Sequence, residues 1–228
     1  VVLQYKVINK ESGMSQNEGK MDVLLIAAPK RVIEKYINIA KNAGIKPEVL
    51  ETESSALTRS LTRPVDPSTI IVSMGALSTE LVIAQGGNVL FTRSIATGGS
   101  SLTKALITEF SLPQKQAEEY KQTYGLSEDK LSGKVSNVLK PILDIIISEI
   151  LKAVEFSRSH VRNSDVTRVV ICGGGAFLPG LSEFLVERTS LEVSLGDPWQ
   201  DFSKEGLAVS IAAQGSIYSV ATGLALRV

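Results

Sequence analysis

The chain has 228 residues, 43% of them hydrophobic, so it can bury a substantial core as one large domain or two small ones. Lys and Arg together equal Asp and Glu at 24 each, so no overall charge attracts nucleic acid or an acidic membrane surface. A single cysteine, Cys172, excludes an internal disulfide, and a single histidine leaves no cluster for zinc, so we expect a cytoplasmic protein without a metal centre.

The first 65 residues predict a small α+β unit. Two alternating segments, 1–8 and 21–28, predict strands, and the polar residues 9–20 between them predict a loop. The chain begins without Met inside the first of these strands, which indicates a fragment of a longer protein. No apolar window reaches the length of about 18 residues that a membrane span needs.

A helix is expected to follow from Pro29 to Gly44, because apolar residues repeat there at every third to fourth position. A short strand over 45–51 and a helix over 55–61 with Ser54 as its N-cap complete the unit. The linker RPVDP at 63–67 predicts a domain boundary near residue 65, which divides the chain into regions 1–65 and 66–228.

The segment 70–105 carries the clearest pattern in the chain. Apolar runs at 70–74, 80–84 and 89–95 predict three antiparallel strands, with Gly86 and Gly87 in the second hairpin turn. A glycine turn at 97–101 then leads into a helix. Three antiparallel strands followed by a helix form the first half of a ribonuclease-H-like or actin-like lobe. In such a lobe, the turn of the first hairpin offers backbone N–H groups to a nucleotide phosphate.

The remainder alternates helices and short strands. We expect a helix from residue 111 or 113 to Tyr124 and a long helix over 135–161 that begins or bends at Pro141. Buried strand 166–172 runs directly into a triple-glycine turn, and one more helix, a short strand at 192–194 and a closing helix at about 210–228 follow.

Candidate ligand-binding residues lie in several of these segments. The turn Gly173, Gly174 and Gly175 lets backbone lie flat against an adenine or ribose, although a sharp strand-to-helix turn also needs glycine. Gly98 and Gly99 fit either a ligand turn or a simple bend. Glu118 and Lys121 are three residues apart on one helix face, where they form either a ribose contact or an ordinary surface pair. No pair of carboxylates has a convincing catalytic spacing.

The order of these features resembles the type IV pilus assembly protein PilM family, which is actin-like and related to the division protein FtsA. The resemblance covers most of the chain and lies in the following segments: the turn at Gly75, FTRSI at 91–95, Gly98–Gly99 with Leu102–Thr103, Ala117–Glu118 with Lys121, GGGA at 173–176 with Leu178 and Gly180–Leu181, and GLALR at 223–227.

The resemblance implies a site for ATP or ADP with Mg²⁺. Gly75 and Thr79 match the family's second phosphate-binding turn, Glu118 and Lys121 match the helix that contacts the ribose, and Gly173 to Gly175 match the adenosine motif. Region 1–65 matches the end of an inserted subdomain, and residues 113–165 match the helical subdomain of the second lobe.

Two departures bear on turnover of the nucleotide. Ser73 stands where the family has an Asp that helps to hold Mg²⁺, and a neutral hydroxyl is a poorer ligand for a hard cation. The family's first phosphate motif is also missing, so we expect weak nucleotide binding by this fragment. Hydrolysis is therefore an open question at this point, and no residue is assigned a catalytic role.

The resemblance further implies a scaffold or ring, and hence a homo-oligomer, that is peripheral to the inner membrane. It would contact the membrane only through partners, by binding the cytoplasmic N-terminal peptide of a PilN-like protein. Two other interpretations stay open: an actin-fold ATPase or phosphotransferase, which needs a metal-holding carboxylate and a general base, and an FtsA-like filament, which needs a membrane-binding helix.

Overall fold

A computed structural model describes residues 1–8, 22–160, 165–203, 205–206 and 208–227. The loop expected over residues 9–20 lies outside these ranges. The strands are β1 Val2–Ile8, β2 Asp22–Ala28, β3 Thr69–Met74, β4 Thr79–Gln85, β5 Asn88–Ile95, β6 Arg168–Cys172 and β7 Glu192–Leu195. The helices are α1 Lys30–Asn42, α2 Glu53–Leu61, α3 Gly99–Phe110, α4 Gln114–Tyr124, α5 Lys134–His160, α6 Leu181–Thr189, α7 Val209–Ala213 and α8 Ser219–Ala225.

The centre of the fold is a mixed five-stranded sheet in the order β5-β4-β3-β6-β7. Strands β3, β4 and β5 pair antiparallel through tight turns, and Gly86 and Gly87 both adopt the positive φ that their hairpin requires. Strand β6 then pairs parallel with β3, and β7 pairs parallel with β6. Because β3 and β6 are parallel, the segments that follow them, at Gly75 and Gly173, meet at one edge of the sheet.

Helices cover both faces of this sheet, and the alternation of side chains along β3 separates two cores. Ile70 and Val72 face a large core formed with α3, α5 and α6, whereas Ile71 faces a smaller core formed with α2, and Val220 of α8 packs against this smaller core. A mixed sheet flanked by helices is the architecture of the ribonuclease-H-like or actin-like lobe that the sequence predicts, so the expected fold class is confirmed.

Helix α5 runs from Lys134 to His160, as its apolar spacing predicts, and it contains Pro141 in its second turn. Proline lacks the N–H that would donate to the carbonyl of Asn137 four residues earlier. The helix continues through this position, so Pro141 is not the start of the helix.

Three expected local structures are wrong. Residues 45–51 form no strand and follow an irregular path, and α2 begins at Glu53 after Thr52, so Ser54 lies inside the helix and is not its N-cap. The closing segment is not one helix: a 3₁₀ turn at Gly215–Tyr218 separates α7 from α8. Gly215 lies against the indole of Trp199, so the chain bends here around the ring.

Strands β1 and β2 form a separate antiparallel ribbon, which α1 follows. No residue of α1 is buried, and of the ribbon residues whose burial the structure describes, only Ile8 reaches the main core as a buried residue. The boundary expected near residue 65 stays a prediction, although α2, which precedes it, packs against the main sheet through Leu57 and Leu61.

Candidate functional site

The turn after β3 is closed by its own backbone. The N–H of Gly75 donates to the carbonyl of Ser78 at 2.9 Å, which fixes the reversal between β3 and β4. Thr79 is fully buried at the start of β4, and its hydroxyl donates to the carbonyl of Thr97 at 2.7 Å. The predicted ligand residue Thr79 therefore supports the turn from beneath.

The first turn of α3 lies directly against this reversal. The N–H groups of Gly99 and Ser100 donate to the carbonyls of Gly75 and Ala76 at 2.9 and 2.8 Å. A Cβ atom at Gly98 would lie 2.6 Å from the Gly75 oxygen and 2.7 Å from the Ala76 oxygen. Gly98 is thus required for close backbone contact, and it holds the start of α3 on the Gly75 turn.

Lys121 of α4 joins the same cluster. Its Nζ donates to the Gly99 carbonyl at 3.2 Å, to the hydroxyl of Thr103 at 2.9 Å and to Oε2 of Glu118 at 2.8 Å. Its side chain is only 13% exposed, so this is not an ordinary solvated surface pair. Lys121 therefore connects two parts of the predicted site. It joins α4, which carries the predicted ribose residue Glu118, to the glycine turn at Gly99.

Glu118 accepts hydrogen bonds from three side chains, and its own side chain stays partly exposed to solvent. Burial raises the pKa of its carboxyl, but hydrogen bonds from Lys121, Thr103 and Gln122 outweigh this and lower that pKa to below its usual value. Its side chain is 40% exposed. Glu118 consequently offers a fixed, charged acceptor at the surface of the cluster, which is the property that recognition of a sugar hydroxyl requires.

The triple-glycine turn meets the other side of β3. Gly173 has a φ of +81°, and a Cβ atom there would lie 2.7 Å from the Met74 carbonyl oxygen. At Gly175 a Cβ atom would lie 2.7 Å from the Met74 Cβ. Gly174, between them, has no atom within 4 Å of such a position. Two of the glycines are therefore explained by packing, whereas Gly174 presents bare backbone to open space.

A further contact ties the triple-glycine segment to α4. The N–H of Leu126, just beyond α4, donates to the carbonyl of Pro179 at 2.8 Å. Gly125 packs so closely on Pro179 that a Cβ atom would lie 2.5 Å from the Pro179 carbonyl oxygen. The fold thus brings all the predicted site segments together at the carboxyl ends of β3 and β6, where ligands bind in open α/β sheets.

Ser73 lies in a row of polar side chains across the sheet. It pairs with Glu80 of β4 on one side and with Cys172 of β6 on the other. Burial and the nearby charge of Glu53 raise the pKa of Glu80, and burial raises the pKa of Cys172 to about 11. The thiol is therefore an unreactive core group at neutral pH. Among the described residues, no three His, Cys, Asp or Glu are grouped to hold a metal ion.

Two residues of the cluster were not among the predicted site residues. Thr103 bridges Lys121 and Glu118, and Met74 is the surface on which Gly173 and Gly175 rest. Thr103 lies four residues after Gly99 on a largely buried face of α3. A polar residue at such a position is the feature of the sequence that could have indicated its role. Met74 gives no such signal, since it continues the apolar run of β3.

The comparison with known proteins agrees with this geometry. The family model described as type IV pilus assembly protein PilM matches residues 1–228, the whole chain. The chain belongs to the PilM family. The solved PilM-PilN type IV pilus biogenesis complex superposes with a TM-score of 0.80 at 26% identity, over 99% of this chain and 66% of that one.

More distant relatives of this PilM-family chain share its actin-like fold. It is 24% identical to cell division protein FtsA of Streptococcus pneumoniae over 95% of its length and 55% of that protein. It is also 24% identical to ethanolamine utilization protein EutJ of Escherichia coli over 70% of its length and 51% of that protein. The chain thus spans about half the length of these curated relatives. MreB5 of Spiroplasma citri bound to AMPPNP superposes with a TM-score of 0.63 at 19% identity, over 87% of this chain and 64% of that one.

Proposed function

We propose that this PilM-family protein is a nucleotide-binding scaffold of a type IV pilus, or of a related secretion or competence system. Adenine and ribose would lie against the bare backbone of Gly174, with Glu118 beside the ribose and the Gly75 turn beside the phosphates. The observation that carries this proposal is the open face of Gly174, because its two neighbours are packed on Met74 while Gly174 itself is free.

The residues present fit an adenine nucleotide better than they fit a metal-assisted reaction. Glycine backbone and a fixed carboxylate suit a base and a sugar, but Ser73 supplies no carboxylate for Mg²⁺. The nucleotide would contribute phosphate charge that draws the two lobes of the full protein together. We propose that it acts as a bound effector with slow or absent turnover.

A thermal shift with ATP and Mg²⁺ against Mg²⁺ alone tests nucleotide binding. A ligand at 100 times its Kd adds about 2.7 kcal/mol of stability. We expect an upward shift for the wild-type chain that Gly174→Val abolishes, because the valine side chain fills the open face. Ser148→Val, at an exposed position of α5, serves as the control and should retain the shift. Equal shifts in both variants would place the nucleotide elsewhere.

Turnover is measured separately as phosphate release. We expect no steady-state release above that of the Gly174→Val variant. Release by the wild-type chain that is lost in this variant would favour the alternative function, an actin-fold ATPase or phosphotransferase.

We further propose that a PilN-like peptide docks on the β1–β2 ribbon. Tyr5 pairs with Leu25 and Val7 pairs with Val23, so the four side chains form one continuous face. Tyr5 is 72% exposed and Leu25 is 64% exposed, and no other described element covers them. An apolar strand face with open edges suits an extended peptide that adds as a strand.

Titration of the labelled N-terminal peptide of the PilN-type protein from the same genome, into the full-length parent protein, tests this docking site. We expect Tyr5→Ser combined with Leu25→Ser to weaken binding at least tenfold. Val209→Ser, which alters an even more exposed apolar side chain on α7, should leave binding unchanged. Binding to such a peptide would place the protein at the cytoplasmic side of the inner membrane, held there by its partner. In the described part of the chain, no helix is long and apolar enough to cross a bilayer.

A further inference from the structure

A second concave surface lies between α3 and the first two turns of α5. It is an open groove of about 950 Å³. Positions 101, 104, 105 and 108 of α3 line one wall, and positions 134, 137, 138 and 141 of α5 line the other. Both sets follow the spacing i, i+3, i+4 and i+7, so each wall is one continuous helix face.

The floor of this α3–α5 groove is apolar. Phe110, at the end of α3, and Val138 of α5 are half-buried against the main core and turn their remaining surface to the groove. Pro141 adds an exposed ring. Pro141 also leaves the Asn137 carbonyl without its helical donor, and Asn137 lines the same groove. The groove therefore offers an apolar anchor site.

The charge of the α3–α5 groove is positive. Lys104 and Lys134 are exposed in its two walls, and neither forms an ion pair with any residue that the structure describes. The single carboxylate in the lining is Glu109. Lys121 and Lys140 of this lobe are paired with glutamates, whereas Lys115, outside the groove, forms no ion pair with a described residue. Since the whole chain has no net charge, two unpaired ammonium groups beside an apolar floor are a local feature.

We propose that the α3–α5 groove binds a short acidic segment of a partner protein. The segment would place an aliphatic or aromatic side chain on Phe110 and Val138 and its carboxylates beside Lys104 and Lys134. An acidic amphipathic segment complements both the charge and the apolar floor. This surface is formed by different elements from the β1–β2 ribbon, so the protein would hold two partner segments at the same time.

Selection from a random peptide library displayed on phage tests the proposal, because it requires no named partner. The wild-type chain is the bait, and the double variant Lys104→Glu/Lys134→Glu is used for counter-selection. We expect the enriched peptides to carry Asp or Glu next to Leu or Phe. They should bind the double variant at least about tenfold more weakly, as expected when two partly exposed ion pairs become repulsive.

A control variant with the same change in charge, Lys35→Glu/Lys115→Glu, alters exposed lysines outside the groove and should bind the selected peptides as the wild type does. Thermal denaturation confirms that both double variants fold. The proposal is wrong if no peptide is enriched, if the enriched peptides lack acidic residues, or if both double variants lose binding equally. Sedimentation that shows association of the wild-type chain alone, absent only in Lys104→Glu/Lys134→Glu, would identify the occupant as a second copy and also overturn it.

Discussion

Replacement of Gly98 by alanine tests the close contact between α3 and the Gly75 turn. The added Cβ would lie 2.6, 2.7 and 2.8 Å from three backbone atoms, of Gly75, Ala76 and Ser78. None of these is the end of a flexible side chain, so the turn or the helix must move. Overpacking of this kind costs about 1–3 kcal/mol, and the backbone location places Gly98→Ala at about 2–3 kcal/mol. In a chain of this length, that corresponds to a decrease in Tm of about 4–12 °C.

Gly98 is also the N-cap of α3, and alanine is a poorer N-cap than glycine. Gly98→Ser separates the two effects, because serine is a better N-cap but carries the same Cβ. We expect urea denaturation to show that both variants are destabilised. Gly174→Ala, at a position with no neighbour within 4 Å, should stay within about 0.5 kcal/mol of wild type. A Gly98→Ser variant as stable as the wild type would refute the contact as described.

Three further outcomes follow from the contacts. Glu51 is paired with Arg59 and Arg227, and the hydrogen bond from Arg59 is the main cause that lowers the pKa of Glu51 below its usual 4.5. The ionised Glu51 carboxylate therefore stabilises the folded state above pH 4.5, and this stabilisation is lost as the pH falls through the lower pKa of the folded state. Glu51→Gln should lower the free energy of unfolding by about 1–2 kcal/mol at pH 7 in urea denaturation, and by much less near pH 3. Lys121→Met removes one of the donors to the Gly99 carbonyl and to the Glu118 carboxylate, as well as the contact with the Thr103 hydroxyl, and should cost about 1–3 kcal/mol by the same measurement; an unchanged midpoint would show that the network is loose. Cys172, with a pKa of about 11, should react with a thiol reagent at pH 8 only after unfolding, and rapid labelling of the native chain would contradict its burial.

The sequence was most informative where local geometry decides the structure. The hairpin at Gly86 and Gly87 requires positive φ, and the apolar runs of β3 and β4 end at turn residues, so both strands could be predicted. The assembly of the site could be predicted only in outline. The glycine pattern indicated a ligand turn, but the roles of Gly98 and Thr79 as internal supports depend on contacts between segments far apart in sequence.

The errors have physical causes of the same kind. Residues 45–51 carry apolar residues that are typical of a strand, yet none of the described strands pairs with them, so their backbone stays irregular. The closing helix is interrupted because Gly215 lies against Trp199, a contact that helical spacing does not reveal. Local pattern predicts an element, but tertiary contact decides whether that element forms and continues.

The packing of α2 against α8 has a consequence for how the polypeptide folds as it is synthesised. Ser60 donates to the carbonyl of Ser219, 159 residues later, and a Cβ atom at Gly223 would lie 1.9 Å from the Ala56 oxygen. Helix α2 is made before α8 and gains this contact only when α8 leaves the ribosome. The smaller core therefore lacks its contact with α8 until then, and a contact of such long range slows the completion of this core. Ribosome-bound chains that stop before α8 should leave the side of α2 that carries Ala56 and Ser60 uncovered.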